Sequence, residues 1–458
     1  MINLSDFKNI HFIGIGGVGI SAIAEILLSR GYRISGSDMK DSDITDRLKA
    51  KGVEIHIGHK SENVKDADLI VYSAAIAEEN PEIIYAREHN IPLAGRAEVL
   101  GILMDEFQDS IAISGTHGKT TTTSMVSLIL DNAKLEPTIL VGGNLEQIGG
   151  NVKVGHSRYF VTEACEYRDS FLQLRPKIEV ILNIDSDHLD YFKDIEHIVS
   201  SFDKFTKAVP EDGKIIAFDA NPFVKRVIEN IDGVITYGYS DNCTYSINDI
   251  HFESSGMPRF SVSYNGENLG EVVLQIPGEH NILNAVAAFA CCHQCGVSPE
   301  VIINTLNEFT GTERRFDVVG TTEKGIKVVD DYAHHPTEIK ATLSASEKLP
   351  HRKLWCLFQP HTYTRTLALF DQFAEAFEKA DVLVLAKIYA AREKDIYKIS
   401  SEKLAEEIKR VHPEKEVYYI DNLEEIADFV SEHAEKDDLV ITMGAGDIYK
   451  VGEMIMER

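Results

Sequence analysis

Short apolar runs that end in glycine, each followed by a segment with apolar positions three and four residues apart, recur along this chain. "NIHFIGIG" runs into "GISAIAEILLSRG", and "SIAISG" into "KTTTTSMVSLILDNAK", where Met125, Leu128 and Ile129 share one helical face. "IKVVDDYA" meets "HPTEIK" in the same manner. A continuous apolar run with no alternation reads as a strand buried on both faces. Strands alternating with helical segments read as βαβ units and a parallel sheet. Further strands are expected at "YRISGSD", "DADLIVYSAA", "RYFVTEA" and "IEVILNI", and at "KLWCLFQP", "DVLVLAKI", "EVYYI" and "DLVITMG". Residues 232–275 ("VITYGYS", "CTYSINDIHF", "RFSVSYNG") are irregular and strand-rich, which suggests an antiparallel addition. The fold class is α/β, with strand, glycine turn and helix repeated in three blocks and no solenoid repeat.

The 458 residues leave room for two to four domains of roughly 100–200 residues. With 46 basic and 73 acidic residues the formal charge is −27, and no long Lys/Arg cluster interrupts it. That balance argues against nucleic acid and anionic membranes as partners. No run approaches the ~18–20 apolar residues of a membrane span. The first residues lack a basic stretch before their apolar run, so a cytoplasmic protein is expected. Six cysteines include "CCHQC", inside the apolar helical run "HNILNAVAAFACCHQCG". No second ligand pair stands at a zinc spacing, so these thiols read as helix core rather than a metal or redox centre.

An acidic protein that binds an anion must hold it with local devices, and two glycine loops are candidates. In "GIGGVG", Gly14, Gly16 and Gly19 stand after a strand and before a helix, with Asp38 ending the next strand. That pattern suits a dinucleotide, but also any nucleoside diphosphate, or a tight packing turn. "GTHGKTTTT" has Gly115 and Gly118 separated by two residues, where the common phosphate loop has four. Its donors are nonetheless those of such a loop. Backbone amides and a helix N-terminus can cradle phosphates, Lys119 can neutralise them, and the Thr120 hydroxyl can ligate Mg²⁺.

Acidic strand ends follow. "FVTEACE" presents Glu163 and Glu166, and "NIDSDHLD" presents Asp185, Asp187, His188 and Asp190. Carboxyl ends of strands converge on the ligand crevice of an α/β sheet, which makes Glu163 and His188 reasonable metal ligands. "VVDDYAHH" crowds Asp330, Asp331, Tyr332, His334 and His335 at one strand-to-helix turn. "FQPHTYTRT" places His361 and Arg365 after another strand, and "GTERRF" supplies Arg314 and Arg315.

Taken in order, "HFIGIGGVGISAIAEILL", "SGSD", "GTHGKTTTT", "EACE", "HNILNAVAA", "ERRF", "DDYAHHPTEI", "FQPHTYTRT" and "YAAREKD" resemble the Mur ligases across essentially the whole chain. These are the ATP-dependent amide ligases of peptidoglycan precursor synthesis, and the short loop is typical of them. The resemblance implies a Rossmann-like UDP-sugar domain (1–103), a central P-loop ATPase domain (104–311) and a C-terminal Rossmann-like amino-acid domain (312–458). It implies ATP and Mg²⁺, as two ions, for joining L-alanine to the carboxylate of UDP-N-acetylmuramate. A monomer or homodimer follows.

Residue by residue, the resemblance places the UDP-sugar on Gly14, Gly16, Gly17, Gly19, Ser37, Asp38, His59 and Arg96. It places ATP on Gly115, Thr116, His117, Gly118, Lys119, Thr120, Thr121, Asn281, Asn284 and Arg314. Thr120, Glu163 and His188 would hold metal, and Lys119, Glu163, His188, His334 and Arg365 would serve catalysis. Arg315, His361 and Arg365 would orient substrate. Many relatives read "EADESD" where this chain reads "EACEYRDS", which leaves the role of Glu166 open. Lys193 and Lys204 follow His188, where other members carry a carbamylated lysine, and neither is assigned. Three alternatives stand beside this one: a ligase of the same family that recycles a murein tripeptide, an NAD(P)-dependent dehydrogenase, and a nucleotide sensor without turnover.

Overall fold

The computed structural model describes residues 2–391 and 393–458; Arg392, within "YAAREKD", lies outside the described residues. Among the described residues the strands form three sheets. The first sheet contains β1 (Asn9–Ile13), β2 (Arg33–Asp38), β3 (Glu54–Ile57), β4 (Leu69–Tyr72) and β5 (Leu93–Gly95), all parallel in the order 3-2-1-4-5. The short strands β3 and β5 have no strong apolar pattern, so the residues alone do not mark them.

The central sheet is built from β6 (Asp109–Ser114), β7 (Thr138–Leu145), β8 (Gly150–Lys153), β9 (Tyr159–Ala164), β10 (Ile178–Ile181), β11 (Lys214–Phe218), β12 (Ile235–Gly238), β13 (Tyr245–Phe252), β14 (Pro258–Tyr264) and β15 (Glu267–Val273). Its order is 15-14-13-12-11-10-6-9-7-8. The expected antiparallel addition is β13–β15, although β12 and β13 themselves pair parallel. A second antiparallel strand, β8 against β7, carries no apolar signal in the sequence because its four residues are largely polar.

The third sheet holds β16 (Asp317–Thr321), β17 (Lys327–Asp331), β18 (Leu354–Phe358), β19 (Val382–Leu385), β20 (Glu416–Tyr419) and β21 (Leu439–Met443), in the order 16-17-21-18-19-20. Only the edge strand β16 is antiparallel. Among the described residues no helix is long and apolar enough to cross a membrane.

What positions the site is the middle of the central sheet. β6 lies between β9 and β10, with Ser114 level with Ala164 on one side and Ile181 on the other. The loop leaving β6 is therefore flanked by two other strand ends, the point where α/β sheets bind ligands. The helix Lys119–Asn132 follows directly, and Met125, Val126, Leu128, Ile129 and Leu130 bury its face against the sheet. Burying each such side chain stabilises by roughly 1.5–3 kcal/mol, which fixes the helix axis and hence its N-terminus. The helix Glu279–Gln294 carries the fully buried Cys291 and Cys292 into the same core. All six cysteines are free thiols, as the core reading expects.

Candidate active site

The loop Gly115–Lys119 is pinned from the end of β10. The Asn183 side chain accepts from the His117 amide at 2.8 Å and donates to its carbonyl at 2.9 Å. Its backbone carbonyl accepts from the Thr116 amide at 3.1 Å, and the Thr116 hydroxyl accepts from the Asp185 amide at 2.9 Å. Nothing in the sequence singles out Asn183, since a lone Asn at a strand end is ordinary. Gly118 caps the helix with φ +84 and without a side-chain hydrogen bond, so the first helical amides stay open for an anion.

Lys119 does not point into solvent. Its ammonium donates to the Thr116 carbonyl at 2.9 Å, to the Gly115 carbonyl, and to Glu166 at 2.9 and 3.3 Å. Burial penalises its charge, but Glu166 beside it raises the pKa above the ordinary lysine value. Glu166, only 2% exposed, is thus the partner of the loop lysine. Glu163 instead accepts from the Gly142 amide at 2.6 Å. A Cβ on Gly142 would lie 2.6 Å from the same carboxylate, so any larger residue there would push the Glu163 carboxylate from its place.

Two cavities belong to this region. One, about 430 Å³, is walled by Phe218, Phe223, Tyr237, Ile276 and Leu283, with His117, Gly118, Thr121, Asn281, Asn284 and Arg315 also on its lining. Mostly apolar walls with a few placed polar groups suit a flat heterocycle. The other, about 1150 Å³, brings together Gly17, Gly19 and Arg96 of the first domain, Glu163, Asp187 and His188 of the second, and His361 and Arg365 of the third.

Several expected residues do not reach these walls. Ser37, fully buried, donates to Glu82 at 2.6 Å, and His59 Nδ1 lies 3.2 Å from the same carboxylate. Asp38 accepts from the Gly16 amide at 2.9 Å and so braces the glycine loop from within. Gly14 and Gly16 shape that turn: a Cβ on Gly16 would meet Asp38 at 2.8 Å. Arg314 turns into the third domain, donating to Asp330 and the Gly444 carbonyl at 2.8 Å and stacking on Tyr332 and Tyr449. Its neighbour Arg315 reaches the smaller cavity in its place.

The third domain docks on the loop through side chains. His117 sits between Asp185 and Glu338, each at 3.2 Å. Thr337 donates to Asp185 at 2.7 Å, and His335 Nε2 lies 2.9 Å from the Ser186 carbonyl. His117, Asp185 and His335 together have the look of a metal cluster, but their chemistry is spent otherwise. The Thr337 amide donates to His335 Nδ1 at 3.2 Å, which leaves Nε2 as the N–H donor to Ser186 and no lone pair for a metal.

Further along, Arg365 donates twice to Asp187, at 3.0 and 3.1 Å, and a third nitrogen lies 3.0 Å from His361 Nδ1. Burial would raise the Asp187 pKa, but Arg365 and the neighbouring histidines hold it far below the carboxylate range. Burial first, then Arg365, push His361 down to about 4. A guanidinium only donates, so His361 Nδ1 accepts and its Nε2 carries the proton. His361 is therefore a hydrogen-bond donor toward the larger cavity, not a base. Burial holds His334 at about 3. Its Nδ1 lies 3.0 Å from the Tyr332 carbonyl and its ring 5.9 Å from His361, behind the cavity wall.

Comparison with known proteins matches this arrangement along its length. Residues 9–108 fit the model of the Mur ligase family catalytic domain, 113–292 the Mur ligase middle domain, and 314–446 the Mur ligase glutamate ligase domain. The chain belongs to the Mur ligase family. A UDP-N-acetylmuramate–L-alanine ligase of Alkaliphilus metalliredigens is 51% identical, covering 98% of this chain and 97% of that one. Its counterpart in Acetivibrio thermocellus is 48% identical, over 100% and 97%. Among solved structures, the UDP-N-acetylmuramate–alanine ligase of Thermotoga maritima superposes with a TM-score of 0.84 at 29% identity over 99% of each chain. A murein peptide ligase of Psychrobacter arcticus gives 0.74 at 25% identity over 98% of each.

In this Mur ligase the loop glycines are steric requirements. A Cβ on Gly118 would sit 2.5 Å from the Asn284 side-chain oxygen, at a φ that L-residues rarely adopt. Gly118→Ala is expected to raise the KM for ATP by roughly 10-fold or more, the effect of one displaced phosphate donor. Nucleotide titration of the variant, with thermal unfolding alongside to register any loss of fold, checks this.

Proposed function

We propose that this Mur ligase joins L-alanine to the lactyl carboxylate of UDP-N-acetylmuramate, converting ATP to ADP and phosphate, in the making of peptidoglycan precursors. The observation that carries it is that His117, Gly118 and Thr121, around the buried Lys119, line the smaller cavity while Glu163 lines the larger one. A nucleotide whose base fills the smaller cavity runs its phosphates along the loop amides toward the larger one, where all three domains meet.

The chemistry follows from bond energetics. A carboxylate oxygen is too poor a leaving group to be displaced by an amine. Its attack on the γ-phosphorus of ATP, with departure of ADP, converts it to an acyl phosphate. Lys119 and the loop amides stabilise the charge that develops on the transferred oxygens. The alanine nitrogen then attacks the acyl carbon, phosphate leaves, and the nitrogen loses its proton. His361, presenting an N–H, can hold an oxygen of the substrate during this step. Gly17, Gly19 and Arg96 suit the UDP diphosphate. Thr120, Glu163 and His188 offer a hydroxyl, a carboxylate braced by Gly142, and one imidazole, a set that fits Mg²⁺ retaining part of its water shell. Bound there, the ion would offset charge on the transferred phosphate.

Contacts from Thr337, Glu338 and Arg365 onto the central domain bring the third domain over the site and shield the acyl phosphate from water. The test is phosphate release from ATP with UDP-N-acetylmuramate and a panel of amino acids. Release with L-alanine supports the assignment; release only with the murein tripeptide assigns the chain to recycling. A pocket judging one methyl group discriminates by roughly 1–3 kcal/mol, so slower turnover of glycine and serine is expected.

A further inference from the structure

The stretch "EACEYRDS" contains a feature that the proposed roles do not use. Arg168 and Asp169 are consecutive non-glycine residues in the left-handed region, at φ/ψ of 53/36 and 56/24. Two such residues in succession are strained and persist only where the surroundings over-determine them. Here the surroundings do so. The Asp169 amide donates to the Glu166 carbonyl at 2.9 Å, and its carboxylate accepts from Tyr191 Oη at 2.7 Å and from Ser201. Reciprocally, Tyr167 Oη donates to Asp190 at 2.9 Å. Two Tyr–Asp pairs therefore clasp this turn to the segment bearing His188, whose ring lies 4.7 Å from that of Tyr167.

The clasp aims one side chain. Arg168 stands on the wall of the larger cavity, its guanidinium 5.4 Å from the centre of the Tyr167 ring and beside that tyrosine's hydroxyl, with no carboxylate paired to it among the described residues. The other cation that the central and third domains place on this wall, Arg365, is committed to Asp187 and His361. The turn is also keyed to the first domain: a Cβ on Gly101 of the helix Arg96–Met104 would lie 2.1 Å from the Gln173 carbonyl. Arg168 thus occupies the seam between the glycine loop with Arg96 and the Glu163/His188 pair, where a UDP-sugar would span the two domains.

We propose that Arg168 is a binding residue for UDP-N-acetylmuramate, donating to an anionic oxygen of that substrate, carboxylate or diphosphate. The inference rests on the substrate reading above. A guanidinium beside a tyrosine, with no carboxylate partner among the described residues, keeps donors for such an oxygen. The backbone strain is the means by which a loop residue reaches this seam from the end of β9.

Arg168→Gly gives the cleanest test, because glycine adopts the left-handed conformation without strain. The variant should unfold at the same temperature as the parent or higher. Calorimetric titration, without ATP, should show UDP-N-acetylmuramate binding weakened by about tenfold or more, the effect of one lost charge-assisted bond. KM for ATP and for L-alanine should stay within about twofold of the parent values. Arg168→Lys, which keeps the charge but not the fork, should fall between the two. UDP titrated in place of the full substrate separates the sources. Equal weakening of UDP places the contact on the diphosphate; weakening of the muramate alone places it on the carboxylate. Unchanged affinity for both in an active, folded Arg168→Gly protein overturns the inference, as does a loss confined to L-alanine. A parent protein that releases no phosphate with UDP-N-acetylmuramate and L-alanine overturns the substrate reading instead.

Discussion

Replacing Lys119 with methionine is expected to reduce phosphate release on the order of 10³-fold, the scale of losing a principal charge stabiliser of the transferred group. The structure adds a complication that a single variant would hide. Lys119 is the partner of Glu166, a carboxylate only 2% exposed. Removing the lysine strands that charge, which costs about 3–5 kcal/mol when the group stays ionised. Lys119→Met alone could therefore lose activity by loosening the loop rather than by losing chemistry. The double variant Lys119→Met/Glu166→Gln removes both charges and should recover the parent's unfolding temperature while remaining inactive. Appreciable turnover in the refolded double variant would show that the loop lysine is not the phosphate's stabiliser. Glu166→Gln alone should stay active, because the lysine keeps its carbonyl partners at Gly115 and Thr116 until nucleotide arrives.

The Lys119–Glu166 pairing leaves no mark in the sequence. The strand–loop–helix units were legible because buried parallel strands are unbroken apolar runs and glycine marks their ends, as at Ile13–Gly14 and Ser114–Gly115. The loop's donors were legible because G-K-T after such a strand has few other uses. What could not be read was direction. Ser37 and His59 stand in plausible positions beside the first loop, yet both turn inward to Glu82, a carboxylate that looks like any acidic residue in a helix's first turn. Arg314 and Arg315 are adjacent and chemically identical, and which one reaches the cavity depends on the left-handed φ of +60 at Arg314. Asn183 is decisive for the loop's shape through bonds to His117, and no spacing announces it. Each miss is a choice between two neighbours or two faces, settled by long-range packing that local pattern does not encode.

Docking of the third domain on the loop is expected to weaken as pH rises from 6.5 through about 9. His117 is the hinge of that expectation. Burial alone would lower its pKa, but hydrogen bonds to Asp185 and Glu338 outweigh it and raise the value to about 9. Protonated, the ring donates from Nδ1 to Glu338 and from Nε2 to Asp185, so one imidazolium joins two domains. A group whose folded pKa lies above its unfolded value stabilises fully below the unfolded pKa of 6.5. That contribution fades as pH climbs through the folded value; a shift of this size corresponds to roughly 3 kcal/mol. The other groups facing His117 do not titrate in this window. Asp185 and Glu338 are held well below the carboxylate range and stay charged. Burial depresses His335, whose ring lies 4.9 Å away, and it stays neutral. Burial likewise holds His280, near Glu338, at about 4. The unfolding temperature of the parent should therefore decline from pH 6.5 to 9.5, and turnover should decline with it as His361 and Arg365 leave the cavity. In Glu338→Gln the imidazolium keeps only Asp185, so the same decline should begin at lower pH. If both proteins trace one profile across that range, His117 does not govern docking, and the Thr337 and Arg365 contacts hold the third domain without it.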